Sequence, residues 1–144
     1  TVEQSIALNY KKDPHIILAA SGMATGGRVL HHLRRILPEP RHQVIFVGFQ
    51  AQGTLGRRLV DGERRVTLFG EEHEVRASVH TLGGLSAHAD RDALLGWLGH
   101  FRTPPSRTFV VHGEASTAQG FAALIHERLG WRAEAPVAGE RVEV

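Results

Sequence analysis

The residues of this 144-residue chain best placed for chemistry are two of its ten histidines. His112 lies in Phe109-Val110-Val111-His112-Gly113-Glu114, at the carboxyl end of an apolar run that reads as a buried strand. A histidine at a strand end, followed by glycine, points into a loop-lined site rather than a core. His88 lies in Leu85-Ser86-Ala87-His88-Ala89-Asp90, a small-residue loop ahead of a helix. A neutral imidazole ligates a divalent metal, and a protonated one serves as a general acid. For either residue taken singly, a hydrogen-bonded structural role is the commoner outcome. That plainer role is assigned to His31, His32, His100 and His126 on helices and to His42 beside a turn. His73 and His80 read as surface residues. The chain has no cysteine, so any metal must be held by histidine and carboxylate. A zinc site needs at least three protein ligands, and the sequence holds no His-x-His-x-Asp-His cluster. The chain is therefore not expected to assemble a closed catalytic metal site by itself.

Two glycine-bearing loops form the second candidate set. Ser21-Gly22-Met23-Ala24-Thr25-Gly26-Gly27 follows the apolar run His15–Ala20, and Gln50-Ala51-Gln52-Gly53-Thr54-Leu55-Gly56 follows Gln43–Gly48. In a parallel sheet both loops fall at the carboxyl ends of strands, where ligands bind. Free N–H groups at a following helix attract phosphate. Neither loop is a P-loop or a G-x-G-x-x-G fingerprint, so each alone is better explained by turn geometry. Arg28 and Arg57-Arg58 stand just behind them. Ser21, Gly22, Gly26, Gly27, Gly53, Thr54 and Arg57 are the candidate phosphate contacts.

The elements that must position these groups alternate between strand and helix. Helices are expected over Thr1–Tyr10, Arg28–Leu37, about 91–101 and Thr117–Leu129. Asp90 is expected to N-cap the third and Gly130 to end the fourth. Buried strands are expected at His15–Ala20, Gln43–Gly48 and Arg107–Val111, and a more exposed pair at Arg65–Phe69 and His73–His80. Residues 131–144 suggest a last strand or two. Charge changes sign along the chain. Residues 1–65 hold ten Lys/Arg against five Asp/Glu, and residues 66–144 hold seven against ten. With the change of strand character this sets a seam near 61–65. The net charge is +2, but fifteen of the seventeen basic residues are arginine, whose planar fork matches phosphate. Apolar residues at 42% permit a core. No apolar run of membrane length and no signal peptide occurs, so no membrane partner is expected.

Four ordered segments carry a resemblance. They are Ala20-Ser21-Gly22-Met23 with Gly26-Gly27; Phe46-Val47-Gly48-Phe49-Gln50-Ala51 with Gly53-Thr54-Leu55-Gly56-Arg57; Ser86-Ala87-His88-Ala89-Asp90; and Val110-Val111-His112-Gly113-Glu114. Together, over about residues 1–140, they resemble the β-CASP branch of the metallo-β-lactamase superfamily. This branch contains ribonucleases and the endonuclease subunit of the cleavage and polyadenylation factor.

The resemblance implies an α/β fold. Residues 1–64 would be the end of a β-CASP insert, a mostly parallel sheet with flanking helices. Residues 65–144 would be the returning strands and helices of the metallo-β-lactamase fold, an RNA-specificity segment. It implies that His88 is the general acid that protonates the leaving oxygen, and that His112 is a ligand to one of two zinc ions. Asp90 and Glu114 would orient them from behind, although N-capping already accounts for Asp90. It further implies that this is the C-terminal third of a longer enzyme, whose other zinc ligands lie upstream in the same parent chain. The expected activity is phosphodiester hydrolysis, by exo- or endonuclease action. The expected partner is single-stranded RNA, the compartment the cytoplasm, and a homodimer is compatible with family habit. Alone, the chain is expected to be inactive and to bind zinc weakly. Two alternatives stand beside this reading: a β-CASP nuclease acting on DNA, and a non-catalytic nucleic-acid-binding α/β module.

Overall fold

The computed structural model describes residues 1–142. The chain divides into two compact units, Thr1–Ser86 and Ala87–Val144.

The first unit opens with α1 (Val2–Leu8), started by a capping box between Thr1 and Gln4. It buries no residue of its own. Its link to the next helix is polar, Ser5 Oγ to His32 Nε2 at 3.0 Å. The helix α2 (Arg28–Ile36) turns Leu33 inward, with Val29 and Leu30 packed beside it. Pro38 stops it, and Leu37 becomes a hub at the exit. The Leu37 side chain is fully buried, and its carbonyl oxygen accepts from both Arg76 N (2.8 Å) and Ala77 N (3.0 Å). Next come β1 (Gln43–Val47) and α3 (Leu55–Val60), then β2 (Arg65–Leu68), β3 (Glu71–Glu74) and β4 (Ser78–Leu82). β1 and β4 run parallel, Gln43 opposite Ser78 through Val47 opposite Leu82. β2 and β3 form an antiparallel hairpin. Leu33, Leu37, Phe46, Leu59, Val66, Leu68 and Val75 make one core. The strands after the charge seam thus share a core with the elements before it.

Three expectations are corrected in this unit. His15–Ala20 forms no strand, and Ile16 and Leu18 are 88% and 94% exposed. An apolar run becomes a strand only where a neighbour takes its backbone hydrogen bonds, and none does among the described residues. β1 is buried on one face only, at Phe46, while Ile45 and Val47 face outward. The stretch His73–His80 is split. Val75 and Ala77 turn into the core at the Leu37 carbonyl, so the chain leaves the hairpin and β4 joins β1.

The second unit holds α4 (Arg91–Leu98), β5 (Thr108–Phe109), α5 (Ala115–Leu129) and β6 (Ala133–Glu134). Asp90 caps α4 by accepting from Ala93 N at 2.8 Å, and Gly130 ends α5 in the left-handed conformation that glycine adopts without strain. Leu98, Ile125 and Trp131 form the core. Phe101 meets Trp131 edge-on at 5.8 Å and Trp97 at 5.3 Å. β5 and β6 pair in parallel over two residues, braced by Arg107 on Glu134 at 2.6 Å. The strand expected over Arg107–Val111 is therefore only Thr108–Phe109, because β6 is short and Val111 projects 67% exposed. Of the closing stretch, residues 143–144 lie outside the described residues. No described helix is long and apolar enough to cross a membrane.

Candidate functional site

The two glycine loops of the first unit are bonded to each other. Gly56 N donates to Met23 O at 3.0 Å, and Gln50 Nε2 donates to Gly22 O at 3.0 Å. Gln50 is 5% exposed and also donates to Phe49 O at 3.0 Å. Its side chain lies against Gly56, where an added Cβ would sit 1.8 Å from Gln50 Oε1 and 3.0 Å from Met23 O. Glycine is therefore required at 56 by close approach, and Gln50 is the crossbar between the loops. Nothing in the sequence separates Gln50 from Gln52 two residues on; only the packing singles it out.

Within the first loop, Ser21 Oγ lies 3.2 Å from Thr25 Oγ1 and accepts from Thr25 N at 3.3 Å. Gly22 and Gly27 are exposed and Gly26 half-buried, and Gly27, at φ 76°, precedes α2 with no side-chain cap over its N-terminus. In the second loop Gly53 is exposed at φ 78°. Thr54 caps α3 by accepting from Arg57 N at 3.2 Å, and its hydroxyl donates to Ala51 O at 2.7 Å. Arg57 donates Nε–H to both oxygens of Asp61, at 2.9 and 2.8 Å. The loops thus expose backbone at Gly22, Gly27 and Gly53, while the polar side chains of Thr54 and Arg57 are spent on local bonds.

Pairing also redistributes the arginine excess. Arg34, Arg58 and Arg65 reach Glu71 (2.7 Å), Glu63 (2.6 Å) and Glu72 (3.3 Å), and Arg28 donates to Thr1 O at 3.3 Å. Such exposed pairs stabilise little, but they reduce the field available to an anion.

His88 and His112 both lie in the second unit, on exposed loops. His88 is on the bend that leads through Asp90 into α4, and Asp90 is engaged as that helix's cap. His112 has φ 63°, a left-handed conformation that costs a non-glycine residue strain. Glu114, two residues on, is the N-cap position of α5 but makes no side-chain capping bond. Among the described residues, no group of three or more His, Asp or Glu could hold a metal ion. Four of the remaining histidines make structural contacts. His32 is buried on Ser5, His100 lies on Gly96 O at 2.7 Å, and His126 on Trp131 O at 3.1 Å. His31 stacks on Phe69, with ring centroids 4.6 Å apart.

Comparison with known proteins finds two family segments in the chain. Residues 1–59 match the Beta-Casp domain, and residues 72–136 match the Zn-dependent metallo-hydrolase RNA specificity domain. The chain is 46% identical to Ribonuclease TTHA0252 of Thermus thermophilus over 123 residues, which is 85% of this chain and 28% of that protein. It is 40% identical to transcription termination factor FttA of Pyrococcus abyssi over 129 residues, 86% of this chain and 20% of that protein. The same factor from Methanococcus maripaludis is 34% identical over 130 residues, 87% of this chain and 20% of that protein. The chain thus spans between a fifth and just over a quarter of the length of these relatives. Two family segments in the order of the four sequence motifs, borne on α/β units with parallel strand pairs, place the chain in the β-CASP branch of the metallo-β-lactamase superfamily.

Proposed function

We propose that the chain is the RNA-engaging, C-terminal part of a metal-dependent nuclease that hydrolyses phosphodiester bonds in single-stranded RNA. The observation that carries this reading is that His88 and His112 both fall inside the segment matching the RNA specificity domain of Zn-dependent metallo-hydrolases. Both are held on exposed loops of one unit. In this reading His88 is the general acid, giving its proton to the oxygen that leaves as the phosphodiester breaks. Exposure lets its ring reach a strand lying over the loop. His112 offers one neutral imidazole nitrogen to a zinc ion, and Glu114 steadies its loop from the start of α5. The donor set of the described residues does not complete a zinc site, so the remaining ligands come from the rest of the parent protein. Zinc supplies there an activated water and charge neutralisation. The 144-residue chain alone is accordingly inactive and a weak zinc binder. The loop backbone at Ser21, Gly22, Gly26, Gly27 and Gly53, with Thr54 and Arg57 behind it, forms a rail for RNA phosphates. The lack of cysteine suits a cytoplasmic setting.

The test is made in the full-length parent. His112→Ala lowers zinc content and RNA cleavage together, whereas His88→Ala lowers the cleavage rate and leaves zinc content near that of the wild type. Equal loss of zinc in both variants overturns this division of roles. For the chain alone, stoichiometric zinc binding below micromolar affinity by calorimetry overturns the weak-binder reading.

A further inference from the structure

A basic cleft lies within the first unit, lined by residues that belong to neither the glycine loops nor the histidine loops. This cleft, of about 350 Å³, opens between the end of α3, the turn at Gly62–Arg64 and the segment Val75–Val79. Leu59, Val75 and Ala77 along it are buried in the core, so what the cleft exposes is mostly polar. Two guanidinium-bearing residues, Arg64 and Arg76, line it, and their backbones are fixed. Arg64 O accepts from Val75 N at 2.8 Å, and Arg76 N donates to Leu37 O at 2.8 Å. Among the described residues neither side chain has a hydrogen-bond or ion-pair partner. The carboxylate that lines the same cleft, Glu63, is already taken. Arg58 donates to both of its oxygens at 2.6 Å and holds its carboxyl below the usual glutamate range. Arg64 and Arg76 therefore bring to one cleft two positive charges that no carboxylate among the described residues pairs. Ser78 adds an exposed hydroxyl at the rim.

We infer that the Arg64–Arg76 cleft grips a backbone phosphate of an RNA strand, a contact additional to the glycine loops and independent of metal. Planar guanidinium forks match phosphate oxygens, and two unpaired forks on one cleft are what a passing phosphodiester needs. This inference rests on the RNA reading above and extends it to a new site.

The test is fluorescence anisotropy of a labelled single-stranded RNA oligonucleotide with the whole 144-residue chain, without metal, across a salt series. Four proteins are compared: wild type, Arg64→Ala/Arg76→Ala, Arg64→Lys/Arg76→Lys, and a control, Arg128→Ala/Arg132→Ala, that removes two other exposed cations. The alanine pair is expected to bind about tenfold more weakly at low salt. Its plot of log K against log salt should be shallower by about 0.7 for each phosphate it no longer engages. The lysine pair keeps most of the slope, because charge is retained. All four keep the wild-type melting transition, since both arginines are exposed. If wild type binds and the alanine pair matches it in affinity and slope, the cleft is refuted and the RNA reading stands. The cleft is also refuted if the control pair loses as much as the alanine pair, since net charge alone then explains the loss. If wild type binds no RNA, the RNA reading falls and the cleft's occupant falls with it.

Discussion

The glycine loops of the first unit and the histidine loops of the second are built on opposite plans. The glycine loops are closed on one another by a buried side chain, Gln50, and by Gly56 N on Met23 O. Their exposed backbone is fixed before any ligand arrives. The histidine loops carry exposed imidazoles and run into helix starts, as where Asp90 caps α4 through Ala93 N. One set has its backbone fixed by contacts between the two loops; the other leads its imidazoles out on exposed loops ahead of helices. The difference matches the chemistry proposed for each. Gripping phosphate needs only fixed donors and charge, whereas a metal site needs three or more ligands converging from several elements.

The sharpest ways to break this comparison act on what lies beneath each loop. Ile125 is buried at 1% exposure under the histidine loops' helix α5. Ile125→Ala should cost the second unit about 2–5 kcal/mol by the cavity it leaves. Amide exchange should show the loss there, and full protection across α4 and α5 in the variant would contradict it. Gly56→Ala should cost the first unit about 1–3 kcal/mol, because the new methyl group has no room against Gln50 and Met23. The decisive measurement is the double-mutant cycle. In a Gln50→Ala background most of the Gly56→Ala cost should vanish in urea unfolding, since the side chain it strikes is gone. Additive costs would mean that Gln50 is not the crossbar. Asp90→Ala should cost about 1 kcal/mol by uncapping α4, with thermal unfolding as the readout. His112→Gly should leave stability unchanged or raise it by up to about 1 kcal/mol, because glycine carries no strain at φ 63°. A clear loss of stability would give His112 a structural role instead.

The smallest effect is one of pH. Burial, then the neighbouring His31, pushes the His32 pKa below its ordinary value. A base depressed in the folded state takes up its proton more readily when unfolded. Its stabilising contribution is therefore present above the ordinary histidine pKa and is lost as pH falls below it. His32→Gln should flatten the fall in stability below about pH 6.5, the ordinary histidine pKa.

Caps, stops and helix faces are legible in the sequence because their signals are local. Asp90 as a cap, Gly130 as a stop and the helix faces of Leu33 and Leu37 follow from spacing alone. So do the four ordered motifs that carry the family. His15–Ala20 has the local pattern of a strand and is none, because a strand is a property of a pair and no local pattern names the partner. For the same reason the segment His73–His80 can be seen to alternate but not to divide between two ladders. Gln50 resembles any loop glutamine until packing buries it. Arg64 and Arg76 are two among seventeen basic residues until pairing consumes their neighbours. The sequence determined which side chains carry charge, metal-binding nitrogen and turn geometry, since those depend on residue type and near neighbours. The tertiary structure alone decided which of them are buried, paired or left free, because those depend on residues distant in the chain arriving at the same place.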